Sequence, residues 1–368
     1  MVEDIEINNF RCFDRLKVSG CKRINLISGK NNVGKTALLE AIFLCSTPTK
    51  DTIFLLGEWR KESGGFLDVL PARRWNNFLF QQDITSICSI EARLEDRSKL
   101  VKISIDNNYE KLLEDDNRLR KYLEDRYSDN SVDGQSDNDI NPYILLIEVK
   151  INSGEAHQTR IVSGNYQIID GQNIIHFDRI QHSSFIPSSL KSSSKSLTIE
   201  FDRARLNEKD DEVLKAFQII DSSIISVESF SIPEPTIYLK RQGEKRLPLS
   251  LFGDAMNRIA EIILKIINNQ DSILLIDEIE NGIHHSSQIA FWDFLYKLAE
   301  QLNVQIFATT HSLEMTEAFI KAGLDRSDSA AHFELTRNEK TNKIVAINRD
   351  LETLEYGISH HKEVRGGA

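Results

Sequence analysis

Cysteine is scarce and scattered. Cys12, Cys21, Cys45 and Cys88 form no CxxC pair and share no cluster with histidines at zinc-ligand spacing. That excludes a disulfide-stapled scaffold and a zinc ribbon, and it implies free thiols in a reducing compartment. No apolar run approaches the roughly 20 residues needed to span a bilayer. The opening MVEDIEINNF has neither a basic n-region nor an apolar h-region, so it does not read as a signal peptide. A basic excess is also missing. The 45 Lys+Arg against 56 Asp+Glu give a formal charge of −11, a balance that argues against wholesale coating of nucleic acid, although a local basic patch is compatible with it. What remains is an ordinary globular composition, 368 residues with 40% hydrophobic and 27% charged. That is enough material for one large domain or two smaller ones. The expectation is a soluble cytoplasmic protein that uses no membrane.

Residues 2–27 read as short strands: Ile5 and Ile7 alternate with polar neighbours, and Ile24, Leu26 and Ile27 form an apolar run before a glycine. Ala, Leu and Glu dominate Ala37–Cys45, predicting a helix. Alternation from Ile84 to Ile105, again at Ile144–Ile151 and around Ile161–Phe177, predicts antiparallel strands. Between them, residues 110–139 hold ten acidic and five basic side chains and end in SDNSVDGQSDND. The second half of this segment reads as a flexible loop, because its composition buries too little apolar area to fix one conformation. Ser188–Ser196 reads as a linker, Asp210–Ile220 as a helix, and Pro233 and Pro235 as a break. The last third alternates helix and strand: Asp254–Ile267, Ile273–Asp277, Ser286–Gln301 and Val304–Ala308. That order predicts a parallel sheet.

Four stretches carry chemistry. Gly29-Lys30-Asn31-Asn32-Val33-Gly34-Lys35-Thr36, leading into Ala37, fits GxxxxGK[ST] between an apolar strand and a helix former. Its glycines let backbone N–H groups curl around phosphate oxygens, Lys35 supplies positive charge to the β- and γ-phosphates, and the Thr36 hydroxyl can ligate Mg²⁺. In SILLIDE, a buried strand delivers Asp277 and Glu278 to its carboxyl end, where ligands bind in open α/β sheets. Asp277 would hold Mg²⁺ through water and Glu278 would polarise the attacking water. Many buried strands end in acids, so the weight of this motif comes from its pairing with the phosphate loop some 240 residues upstream. His311, in Thr309-Thr310-His311-Ser312, can contact the γ-phosphate or the attacking water, or simply be a capping histidine with Ser312 starting a helix. Ser250 and Gly253, in PLSLFGD, open a helix 27 residues before Asp277. They make either an anion site or a plain N-cap.

In this order the four elements resemble the ABC-type ATPases that include the SMC and RecF proteins. IEINNFRCF, the phosphate loop, LSLFGD, LLIDEIENGIHHS and ATTHS are similar, more closely still, to the OLD-like group of bacterial AAA/ABC ATPases, many of them found in phage-defence modules. The resemblance covers residues 1–40 and 235–315 well and the middle loosely. It implies that Ser250 and Gly253 form the signature motif that completes a neighbouring subunit's site, and that His311 is the switch histidine. It also implies that Gln81 or Gln82 senses Mg²⁺, and that Arg11 lies near the nucleotide. Two departures stand out: the signature reads LSLFGD rather than LSGGQ, and His284 replaces an aspartate six residues after the catalytic glutamate. No acidic cluster follows His311, so an ATPase without its own nuclease domain is expected.

The predicted fold class is α/β, an ABC-ATPase-like P-loop head of mixed sheet and helices with an antiparallel lobe and a small helical arm. Residues 1–105 would form the first part of the head and 106–200 the acidic insertion and lobe strands. The arm would occupy 201–235, and 236–368 would complete the head. The predicted function is an ATP- and Mg²⁺-dependent ATPase, a homodimer or higher homo-oligomer whose assembly switches a separate effector protein in anti-phage defence. The alternatives are a RecF- or SMC-type ATPase that clamps DNA, which the net charge does not favour, and a non-catalytic scaffold, which the intact Glu278 disfavours.

Overall fold

A computed structural model describes residues 1–60, 75–106, 144–162, 168–169, 183–188 and 192–359. The acidic segment 110–139 lies outside the described residues, as does most of the strand expected at 161–177. The chain divides into two compact units that interleave in sequence. One comprises Met1–Asp4, Lys17–Thr47 and Ile180–Ala368; the other comprises Ile5–Leu16 and Pro48–Arg179. This division does not coincide with the linear one expected at 105, 200 and 235, because the opening strands are shared and the chain enters and leaves the second unit twice.

In chain order, β1 (Val2–Phe10) and β2 (Phe13–Ser19) are neighbours in one sheet, followed by β3 (Ile24–Ser28) and α1 (Lys35–Ser46). The second unit then continues with α2 (Lys50–Trp59), β4 (Cys88–Leu94), β5 (Ser98–Asp106), β6 (Ile144–Ile151), β7 (His157–Val162) and β8 (Ile168–Ile169). Its sheet order is β2-β1-β4-β5-β6-β7-β8. From β4 onward each neighbouring pair is antiparallel, as the alternation in sequence predicts. Cys88, Ile90 and Ala92 on β4 and Val101 and Ile103 on β5 are buried on one face while their neighbours are more exposed. This period of two is that of a sheet with one covered side.

The first unit is built on the order β16-β15-β3-β14-β13-β9. β9 is Ser183–Ile186, β13 Ile273–Ile276, β14 Gln305–Thr309, β15 Ala330–Arg337 and β16 Ile344–Arg349. The five strands from β15 to β9 run parallel, and β16 closes the β15 edge antiparallel. INLI, ILLI and QIFA are apolar almost throughout because both faces are covered. Ile24, Leu26, Leu274, Ile276, Ile306 and Ala308 belong to one large core. The alternate residues of β13 and β14 turn to the other face, which α1 covers. α1 also meets β9 there, with Phe43 against Phe185 at 6.0 Å between ring centroids.

The main core is closed by α5 (Asp254–Asn268), α6 (His285–Gln301), α7 (Leu313–Gly323) and α8 (Leu351–Ser359). In α5, Met256, Ile259, Ile263, Ile266 and Ile267 recur at helical spacing and are all buried. α3 (Ser194–Leu206) and α4 (Asp210–Ile220) precede a small antiparallel sheet of β10 (Ile224–Phe230), β11 (Thr236–Arg241) and β12 (Leu247–Pro248). The arm expected at 201–235 therefore holds the end of α3, α4 and a strand. Leu197, Phe201, Val213 and Phe217 put its helices into the main core. The serine stretch is likewise more than a linker: Ser193 accepts the Ser196 N–H at 3.1 Å and starts α3 as its cap. Among the described residues no helix is long and apolar enough to cross a membrane.

Candidate functional site

The carboxyl ends of β3, β14, β13 and β9 share one edge of the sheet, because the register pairs Ile27 with Thr309, and Ile276 with both Ala308 and Ile186. Every strong motif leaves from that edge. After β3 the chain turns at Gly29, whose φ is +147°. A Cβ at this position would stand 2.4 Å from the Leu335 carbonyl oxygen and 2.9 Å from Val33 Cγ2, so only glycine lets the loop pass β15 this closely. α1 then begins at Lys35 without a side-chain cap, leaving its first-turn N–H groups to an anion. Lys35 is 9% exposed. Its ammonium donates to the carbonyls of Gly29 (2.8 Å) and Lys30 (3.0 Å). Burial pulls it below the usual lysine range, against the opposing charges of Asp277, Glu280 and Glu278.

Asp277 is 4% exposed and gathers hydroxyls from three elements. Thr36 Oγ1 lies 3.1 Å from each carboxylate oxygen. Thr309 donates to Oδ1 at 2.7 Å and Ser188 to Oδ2 at 3.0 Å. Its backbone is fixed too: the N–H donates to Ile186 O (2.9 Å), and the carbonyl accepts from Arg258 Nη2 (2.6 Å). The result is a buried carboxylate held by neutral donors beside the phosphate loop, a hard oxygen site of the kind that suits magnesium.

Glu278 is the next residue, and its φ of +51° turns the chain sharply off β13. Left-handed backbone is uncommon for a side-chain-bearing residue. Here the Glu278 N–H donates to Thr309 Oγ1 (2.9 Å), and Asn281 Nδ2 donates to Oε2 of its carboxylate (3.0 Å). The Glu278 side chain is 36% exposed and its Oε1 lies 3.9 Å from His311 Nδ1. Glu280 Oε1 is nearer to His311, 3.4 Å from Nδ1 and 2.9 Å from the backbone N–H it accepts. His311 follows β14 directly, and Ser312 caps α7 by accepting the Met315 N–H at 3.1 Å. The capping-histidine reading does not hold: Ser312 caps the helix, while the His311 ring stands beside the two glutamates.

Ser250 is exposed in a 3-10 turn, Leu249–Phe252, and Gly253 (φ +86°) leads into α5. Gly253 is the N-cap residue of α5, without a side-chain cap bond, and Ser250 does not cap the helix. The start of α5 is nonetheless tied to the carboxyl end of β13. Arg258, 9% exposed, donates to Pro187 O (3.0 Å) as well as to the Asp277 carbonyl. A Cβ on Gly282 (φ +79°) would meet the Ala255 backbone at 2.9 Å, so the loop after Glu278 lies against the first turn of α5.

Lys35, Thr36, Asp277, Glu278 and His311 are thus brought together. Arg11, Gln81 and Gln82 belong to the second unit. There Arg11 Nη1 donates to Asn77 O (2.9 Å), its guanidinium lies 4.5 Å from the Phe78 ring centroid, and Gln82 Nε2 donates to Asn77 Oδ1 (3.2 Å). Gln81 and Gln82 do not lie on a strand. They lie in a 3-10 turn, Phe80–Gln82, each with positive φ, because the residues before β4 turn rather than extend. Thr309, Ser188, Glu280 and Arg258 were not singled out from sequence. Thr309 and Glu280 stand inside motifs that were. Ser188 and Arg258 carry no local signal, since each acts through a partner distant in the chain.

The chain resembles several known proteins. The family model described as "AAA domain, putative AbiEii toxin, Type IV TA system" matches residues 24–316. An ATP/GTP phosphatase of Helicobacter pylori is 22% identical over 341 residues, covering 86% of this chain and 87% of that protein. The RecF DNA replication and repair protein of Clostridium acetobutylicum is 38% identical over 45 residues, 12% of each chain. Among solved structures, an Smc head domain from Pyrococcus furiosus, crystallised with an extended coiled coil and the C-terminal domain of ScpA, aligns with 98% of this chain and 99% of that one. At 10% identity and a TM-score of 0.51, it shares the fold alone. With a family model spanning well over half of its length, the chain belongs to this AAA-domain family, and its fold is that of the Smc head.

Proposed function

We propose that this chain hydrolyses ATP with magnesium at the sheet edge formed by β3, β13 and β14, and that ATP-driven assembly of two or more copies switches a separate effector. The observation that carries the chemistry is the approach of Thr36 Oγ1 to both oxygens of Asp277, at 3.1 Å each, across 241 residues. A phosphate loop and a strand-end carboxylate meet this way where a divalent cation and a polyphosphate share one site. In this reading the backbone of Gly29–Ala37 cradles the phosphates. Lys35 exchanges its two carbonyl acceptors for phosphate oxygens, a stronger charge-assisted partner for an ammonium that burial disfavours. Thr36 and Asp277 would hold magnesium, which when bound neutralises charge on the β- and γ-phosphates. Glu278, fixed by Asn281 and Thr309, orients and polarises the attacking water, and His311 stands beside it. Catalysis then rests on positioning and charge rather than on a covalent intermediate.

Ser250 and Gly253 are proposed to act on the nucleotide of another copy. Ser250 is exposed, in a turn that leads into α5 at Gly253 without a side-chain cap. The family's description as a putative toxin of a type IV toxin–antitoxin system supports a defence role. The RecF likeness favours a second reading, a DNA-repair ATPase, which predicts hydrolysis stimulated by DNA where the first predicts none. Calorimetric titration of ATP, with and without Mg²⁺, tests the site. Binding should depend on the metal and disappear in Lys35→Ala, and unchanged affinity in that variant would contradict the assignment.

A further inference from the structure

Resting on the reading of Glu278 and His311 given above, we propose that Glu280 is the positioning residue for His311, setting which ring nitrogen faces the nucleotide and hence what the histidine can do there. Glu280 comes two residues after Glu278 on a segment that stays tied to β14, since the Ile279 N–H donates to Thr309 O at 3.0 Å and Ile279 is fully buried. Both glutamates therefore project toward the start of α7. The Glu280 side chain is only 11% exposed. Its Oε1 accepts the His311 N–H at 2.9 Å and stands 3.4 Å from Nδ1, while its Oε2 is buried without a partner among the described residues.

A half-satisfied buried carboxylate is costly unless it does something. Here it holds one residue, backbone and ring together. Nδ1 faces two carboxylates, Glu280 at 3.4 Å and Glu278 at 3.9 Å. The nitrogen that faces acceptors carries the proton, and the other nitrogen follows from that. Neutral His311 is therefore the Nδ1–H tautomer, and Nε2 is left as a lone-pair acceptor. An acceptor repels phosphate oxygens and attracts the O–H of water, so the two roles left open by the sequence resolve in favour of the attacking water.

Two substitutions separate reach from charge. Glu280→Asp keeps the charge but withdraws the carboxylate by one methylene, out of range of His311. Glu280→Gln loses the charge but keeps an acceptor oxygen in place. ¹⁵N spectra of the histidine-labelled protein at pH 8 distinguish the tautomers without requiring turnover. The wild type and Glu280→Gln should show His311 protonated on Nδ1, and Glu280→Asp should lose that preference. In the Asp variant kcat should fall about 10²-fold, the scale of a misplaced catalytic group, with ATP affinity within a few-fold of wild type, and Glu280→Gln should retain most of the activity. An Nε2–H tautomer in the wild type, or the Asp variant behaving like wild type while the Gln variant fails, overturns the proposal. Absence of ATPase activity in the wild type would instead overturn the hydrolytic reading and leave the tautomer assignment standing.

Discussion

His332 gives a prediction whose size follows directly from the structure. It lies on β15 between Leu26 on β3 and Arg349 on β16, with no exposed surface. Neither ring nitrogen has a hydrogen-bond partner, while Glu334 on the same face is paired with Arg349 at 2.7 Å. Burial, reinforced by the Arg349 charge, pushes the imidazole from the ordinary 6.5 down to about 3. As pH falls below 6.5 the unfolded chain takes up a proton that the folded chain refuses until about 3. Stability from this residue is therefore complete above 6.5 and is lost progressively down to about 3. At about 1.4 kcal/mol per pH unit of difference, lowering the pH from 8 to 5 costs about 2 kcal/mol. His332→Leu fills a similar volume and removes two orphaned nitrogens, so at pH 8 it should be neutral or stabilising. Urea titrations of both proteins at pH 8 and pH 5 measure the difference. The wild type should lose about 2 kcal/mol more than the variant over that interval. Equal losses in the two proteins would refute the reasoning.

Gly29→Ala places a methyl group 2.4 Å from the Leu335 carbonyl oxygen in backbone that disfavours side chains. The loop must shift, so ATP affinity measured by fluorescence titration should fall at least tenfold, about 1.4 kcal/mol, and the melting temperature should fall with it because the clash is with backbone. For assembly, mixing Lys35→Ala with Ser250→Arg should restore part of the ATPase activity that each variant lacks, because each mixed dimer regains one intact composite site. Mixed dimers that form but stay inactive, when a dimer with a single mutated site keeps half the wild-type rate, would place Ser250 outside the site.

What was legible in the sequence is what is local. GKNNVGKT, LLIDE and ATTHS each leave a strand of the same parallel sheet, so reading the strand before the motif was enough to bring Lys35, Thr36, Asp277, Glu278 and His311 to one edge. The helices of the last third and Asp210–Ile220 were readable because their apolar residues recur at helical spacing and end up buried. Partners distant in the chain were not readable. Ser188 meets Asp277 across 89 residues, and only the fold distinguishes it from the serines around it. Arg258 looks like an ordinary charged helix residue until its guanidinium is found on the Asp277 carbonyl. Gln81 lies with positive φ in a turn that carries no Gly or Pro to announce it. The interleaving of the two units also has no signature, since the crossings after Asp4 and Leu16 fall inside continuous strands.

The central claim is that Glu278 orients the water that attacks ATP held by Lys35, Thr36 and Asp277. Phosphate release and ATP binding, measured side by side for the wild type and Glu278→Gln, test it most directly. The account predicts that the variant binds ATP normally and turns it over about 10²- to 10⁴-fold more slowly, the range of a lost general base. Turnover within a few-fold of wild type would contradict it.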